Sequence, residues 1–105
     1  MRQTYIPSIE EIAGLAEEKG NNEGYNPEDP KHRLAKLALI MDEVAEEIHN
    51  VSKGTDNCTE LIDVIIRVYS YVGWIGLSTN AFELLLAQKH EYNKSRPTKH
   101  GKLVN

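Results

Sequence analysis

Residues Thr59–Trp74, TELIDVIIRVYSYVGW, decide the fold. Most are apolar, and Glu60, Asp63, Arg67 and Ser70 interrupt them at steps of three, four and three. Side chains three and four apart share one face of a helix. The stretch therefore predicts a helix apolar on most sides, with one narrow polar line. Such a helix is ordinarily a buried one. Two carboxylates one turn apart on its polar line then need an explanation, because removing a carboxylate from water is costly unless something compensates it.

Working outward, the flanking segments also read as helices. Ser8 with Glu11 three residues on forms a capping-box pattern before IEEIAGLAEEKG, and Gly20 is a natural stop. This predicts a helix from about Ile9 to Lys19. NNEGYNPEDP reads as a loop. A second helix is expected from about Lys31 to Asn50, with an apolar stripe of Leu34, Leu37, Met41, Val44 and Ile48. SKGTDN is a turn, Thr59 can cap the third helix, and Gly73 and Gly76 loosen its end. Ser78 or Thr79 can cap a fourth helix reaching about Asn93, and Pro97 and Gly101 end regular structure. No segment reads as a convincing strand. Four helices joined by short links predict an all-α fold, an antiparallel four-helix bundle, in a single domain spanning residues 1–105.

Composition agrees with a globular chain. Of the 105 residues, 40% are hydrophobic and 27% charged. No apolar run is long enough to span a bilayer, and MRQTYIPSIEEI lacks the apolar region of a signal peptide. Cys58 is the one cysteine, so no internal disulfide can form, and a cytoplasmic location is expected. The net charge of −4 argues against a nucleic-acid polymer as partner. The charge is uneven. Gln88–Lys102 carries five Lys/Arg against the single acid Glu91, so a basic tail follows an acidic body.

The second helix carries Glu43 and Glu46, again three apart, roughly opposite its apolar stripe. Alone, this pair is a solvated face. The next helix repeats the device with Glu60 and Asp63 in apolar surroundings. Consecutive helices with a short link pack antiparallel, so the two pairs should meet across one seam. Four clustered carboxylates need protonation, basic partners or cations. Arg67 can pair with Asp63 at i+4, but one arginine does not neutralise four acids. An all-oxygen cluster suits Mg²⁺, with Mn²⁺ also acceptable. Other metal schemes fit less well: Glu46 and His49 give one E-x-x-H where di-iron bundles need two, and no zinc, EF-hand or Walker A pattern is present.

Glu43-Val-Ala-Glu46 followed by Glu60-Leu-Ile-Asp63 resembles the ExxE…ExxD signature of the MazG-like, all-α nucleoside triphosphate pyrophosphatases. The run from Lys89 through Asn93 and Arg96-Pro97 to Lys102 is similar to the segment after the last helix in small members of that superfamily. The resemblance covers about residues 34–102. It implies Mg²⁺-dependent hydrolysis of a (deoxy)nucleoside triphosphate to its monophosphate and pyrophosphate. It further implies that Glu43, Glu46, Glu60 and Asp63 hold the metal, with Glu43 or Glu46 orienting or deprotonating the attacking water. Lys89, Asn93 and Arg96 would contact phosphate or sugar. House-cleaning or control of nucleotide pools is the implied role. The sequence departs from the family in its aromatics: only Tyr5 and Tyr25 lie in or near the first helix and its loop, and Trp74 reads as core. Asp42, beside Glu43, reads as a surface acid.

A homodimer or homotetramer is expected, because Ile65, Ile66, Val68, Tyr69, Val72 and Trp74 cannot all face one small core. The competing reading is a non-catalytic helical module that binds a nucleotide or a protein partner.

Overall fold

The computed structural model describes residues 5–55 and 58–96, together with the backbone of 98–99 and 102–103. Its helices are α1 (Ile9–Glu18), α2 (Pro30–Ser52), α3 (Thr59–Trp74) and α4 (Thr79–Ser95). Past α4, the two-residue strands β1 (Thr98–Lys99) and β2 (Lys102–Leu103) pair antiparallel, a small element that the sequence pattern does not announce. Pro97 and Gly101, expected to end regular structure, lie outside the described residues. The fold is otherwise all-α. Among the described residues, no single helix is long and apolar enough to cross a membrane.

Local chemistry explains the helix starts. The Ser8 hydroxyl accepts from Glu11 N at 3.1 Å and Glu11 Oε1 accepts from Ser8 N at 2.9 Å, completing the capping box. Asp29 caps α2 by accepting from Lys31 N at 2.9 Å, with Pro30 in the first turn, where its missing N–H is not needed. Ser78 caps α4 through Ala81 N at 3.1 Å. The start of α3 differs from expectation. Thr59 is already helical, and Cys58 holds the capping position in left-handed backbone (φ 66°) with no side-chain cap.

The central helix is α3, and α1 and α2 both pack along it. The α1 crossing is close because Gly73 has no side chain: a Cβ there would stand 2.4 Å from the Ala13 Cβ. Gly73 thus does not loosen the end of α3. It lies inside the helix and lets α1 approach, with Ile9, Ala16 and Val72 buried around the contact. Gly76, with φ 101°, is the residue that turns the chain out of the helix.

The fourth helix does not lie back along the other three. The chain turns by 116° between α3 and α4, and extensive packing is confined to the α1–α3 and α2–α3 pairs. Only the start of α4 is tied down. Thr79 N donates to Glu10 Oε2 at 2.9 Å, the Thr79 hydroxyl bonds Glu10 Oε1, and Ile9 N donates to that hydroxyl at 2.9 Å. Tyr69 and Phe82 meet edge to face, with ring centroids 5.8 Å apart.

The orientation of α2 corrects the expectation from its apolar stripe. After His32, its positions withdrawn from solvent are Arg33, Lys36, Ile40, Glu43, Glu47 and Asn50, each three or four apart. The stripe lies one residue over, about 100° round the helix. It faces out: Leu34, Met41 and Ile48 are 66%, 73% and 64% exposed. Leu61, Ile62, Ile65 and Ile66 on α3 and Leu84, Leu85 and Leu86 on α4 are exposed as well. Among the described residues α2 packs extensively against α3 alone, and the two helices meet along their polar lines.

Candidate functional site

The α2–α3 seam brings three of the four expected acids together. Carboxylate oxygens of Glu43, Glu60 and Asp63 all lie within 4.8 Å of one another, and all three residues are half-buried. Glu46 is exposed at the edge of the group. Its carboxyl is held above the ordinary value by its hydrogen bond with Glu43, then by the charges of Glu43 and Glu60. The group therefore carries the like-charge stress that a bound cation relieves.

Arg67 moderates that stress at one point. Its Nε donates to Glu43 Oε1 at 2.7 Å. This bond is the main reason the Glu43 carboxyl lies below its usual range. The sequence suggested Asp63 as the partner of Arg67; the guanidinium instead reaches across to α2.

The acids stand at one end of a cavity of about 330 Å³ between α2, α3 and the end of α1. Glu43, Asp63 and Arg67 line this end, while Lys36, Tyr71 and Trp74, with Asn21 and Asn22 from the loop after α1, line the other. Antiparallel helices explain the order: Glu43 to Lys36 runs back along α2 as Asp63 to Trp74 runs forward along α3. The Lys36 ammonium sits 4.4 Å from the centre of the Tyr25 ring and 5.7 Å from that of Trp74. Burial, then the charge of Arg67, holds its pKa below the ordinary lysine value. Trp74, expected to be core, is half-buried and lines the cavity.

Lys89, Asn93 and Arg96 stand elsewhere. They share one side of α4: Arg96 Nη1 donates to Asn93 Oδ1 at 3.0 Å, and Lys89 and Arg96 flank the Tyr92 ring at 5.1 and 5.3 Å. None of the three lines the cavity, because the 116° turn carries α4 away from α2. The side chains of Lys99 and Lys102 lie outside the described residues. Cys58 is exposed.

Sequence reasoning missed Lys36 and the buried Glu47. Both were detectable as members of one series with Glu43, at 36, 43 and 47, had that face been read as the inward one. No protein-family model matches the chain, and no curated protein or solved structure shows significant similarity to it.

Proposed function

We propose that the protein is a MazG-like nucleoside triphosphate pyrophosphohydrolase, which hydrolyses a (deoxy)nucleoside triphosphate to the monophosphate and pyrophosphate. The observation that carries this reading is the convergence of Glu43, Glu60 and Asp63, of which Glu43 and Asp63 line one end of a cavity whose other end is aromatic. The donor set is all oxygen and rich in negative charge, which fits Mg²⁺ or Mn²⁺. Glu43, Glu60 and Asp63 would hold the metal, with Glu46 completing the set. When bound, the metal supplies positive charge to phosphate oxygens and acidifies a water. Glu46, at the exposed edge of the acids, stands where it would accept a proton from the attacking water. Arg67 offers its guanidinium to phosphate oxygens, and its pairing with Glu43 holds it in the site in the meantime.

The working unit in this reading is a homodimer or homotetramer. Apolar faces of α2, α3 and α4 stand open on the single chain, and such patches ordinarily mark an interface. A second copy covering them can bring Lys89, Asn93 and Arg96 of its α4 to this chain's acids. A role in nucleotide-pool control follows from the same resemblance.

One observation favours the non-catalytic alternative: Arg67 satisfies Glu43, as it would in a site that only needed its acids neutralised. Pyrophosphate release from a panel of deoxynucleoside triphosphates, with and without Mg²⁺, separates the readings. Mg²⁺-dependent pyrophosphate supports the enzyme. Orthophosphate as the product, or no turnover of any nucleotide, counts against it.

A further inference from the structure

The cavity has two chemically distinct ends, and the aromatic end carries an unusual cation. Lys36 presents three donors and no acceptor. One donor goes to the Asn21 carbonyl. No carboxylate of the described residues lies within ion-pair distance of it. Its surroundings are the rings of Tyr25 and Trp74, the Asn21–Asn22 loop, the charge of Arg67 deeper in the cavity and, opposing it more weakly, the charge of Glu17. Anchoring the loop accounts for one donor. It does not account for an ammonium set against two aromatic rings on the wall of an open cavity.

The spacing along α2 is also informative. Lys36 precedes Glu43 by seven residues, about 10 Å of helix rise. A nucleoside whose phosphates lie at the acids can reach that far with its base. Aromatic faces accept any base by stacking. Discrimination then falls to polar groups. The Asn21 and Asn22 side-chain amides have both donors and acceptors and suit many edges, whereas Lys36 can only donate.

We infer that the end of the cavity formed by Lys36, Tyr71, Trp74 and the Asn21–Asn22 loop receives the nucleobase, and that Lys36 selects bases bearing an exocyclic carbonyl over adenine, which has none. This specificity rests on the nucleotide reading of the site above, but not on turnover. A carbonyl oxygen gives the ammonium an acceptor in surroundings that now stress its charge. Adenine offers the ammonium only ring nitrogens, weaker partners for a charged donor than a carbonyl oxygen, beside an amino group that itself donates, and a site built around a charged donor discriminates against the base that meets it less well.

The one tryptophan in the chain is Trp74, so its fluorescence reports this end of the cavity alone. The test titrates the full chain with dUMP, dTMP, dGMP, dCMP and dAMP at millimolar Mg²⁺, since a monophosphate has no α–β anhydride to cleave. The four carbonyl-bearing nucleotides should perturb Trp74 and bind roughly tenfold or more tighter than dAMP, as expected for a charged hydrogen bond. Lys36→Met should abolish that gap. Lys36→Gln, whose amide can both donate and accept, should bring dAMP close to the others while keeping the Asn21 bond possible. Comparable binding of dAMP by the parent would overturn the inference, as would an unchanged ranking in both variants. So would a silent Trp74 in a protein that still releases pyrophosphate from nucleotides, which would place the base elsewhere and leave the enzymatic reading standing. Conversely, the expected ranking in a protein without turnover supports this inference and sinks only the hydrolysis.

Discussion

Arg67 on α3 donates from Nε to Glu43 Oε1 on α2 at 2.7 Å, and among the described residues it is the ion pair that joins two helices. It divides the acids into unequal partners. Glu43 is held ionised by a cation, and Glu46 is left with the repulsion.

That inequality predicts opposite effects of two conservative substitutions. In chelator, Glu46→Gln should melt at or above the parent, because it removes a like charge. Glu43→Gln should be less stable, by up to about 1 kcal/mol, since the Arg67 side chain is 42% exposed and solvent screens the pair. Added salt should narrow that deficit. Mg²⁺ should raise the parent's melting temperature more than that of either variant, because only the parent keeps the full ligand set. Thermal melts followed by circular dichroism check all of this, and an unfolded Glu46→Gln would mark that carboxylate as structural.

The two ends of the molecule should respond to acid with opposite signs. Glu10 is held at about 2, against an ordinary 4.5, chiefly by its hydrogen bonds with Thr79. Its contribution is present above pH 4.5 and is lost as pH falls through the folded value of about 2. Glu46 is raised, so the folded state holds its proton longer than the unfolded one, and its contribution falls as pH rises through and above 4.5. Carboxyl titrations by NMR should show a low Glu10 midpoint that moves up toward 4.5 in Thr79→Ala. A Glu10 midpoint near 4.5 in the parent would mean that the tie between α1 and α4 is absent in solution.

Gly73→Ala should be among the more damaging single changes in the chain. The added methyl meets Ala13 on a packed helix, not the tip of a flexible side chain. Overpacking of this kind typically costs roughly 1–3 kcal/mol. Denaturant unfolding measures it, and Gly73→Ala combined with Ala13→Gly should recover most of the loss. A variant as stable as the parent would contradict the close crossing.

Self-association should depend on the outward stripe of α2. Light scattering at micromolar concentration should return a dimer or tetramer mass, and Met41→Glu with Ile48→Glu should reduce it to a monomer near 11.9 kDa. If the α4 cations serve a neighbouring subunit, mixing inactive Lys89→Ala,Arg96→Ala chains with inactive Glu43→Gln chains should restore part of the activity. A parent that is monomeric at these concentrations removes this arrangement.

The helices were legible because their signals are local: the Ser8–Glu11 box, the three-and-four spacing of apolar residues in α2, and Ser78 or Thr79 before α4; the Asp29–Pro30 start of α2 was read as loop. The polar line of α3 was legible for the same reason, and it led to Glu43, Glu60 and Asp63. The inward face of α2 was not. Amphipathic pattern says which side of a helix gains from burial, but not which neighbour is there to bury it. Leu34, Met41 and Ile48 face out because nothing among the described residues covers them. The partner of Arg67 was misread because Asp63 is one turn away while Glu43 is 24 residues away. Gly73 looked like a weak point because its role depends on Ala13, which only tertiary structure places opposite. The separation of Lys89, Asn93 and Arg96 from the acids rests on a single turn, which periodicity does not encode.

The most direct test of the central claim is product analysis of nucleoside triphosphate hydrolysis at millimolar Mg²⁺, in the parent and in Asp63→Asn. The account predicts monophosphate and pyrophosphate from the parent, abolished by chelator, and a loss of roughly a hundredfold or more in kcat/KM for Asp63→Asn with helical content intact. Diphosphate and orthophosphate as products, or equal turnover by the parent and Asp63→Asn, would contradict it.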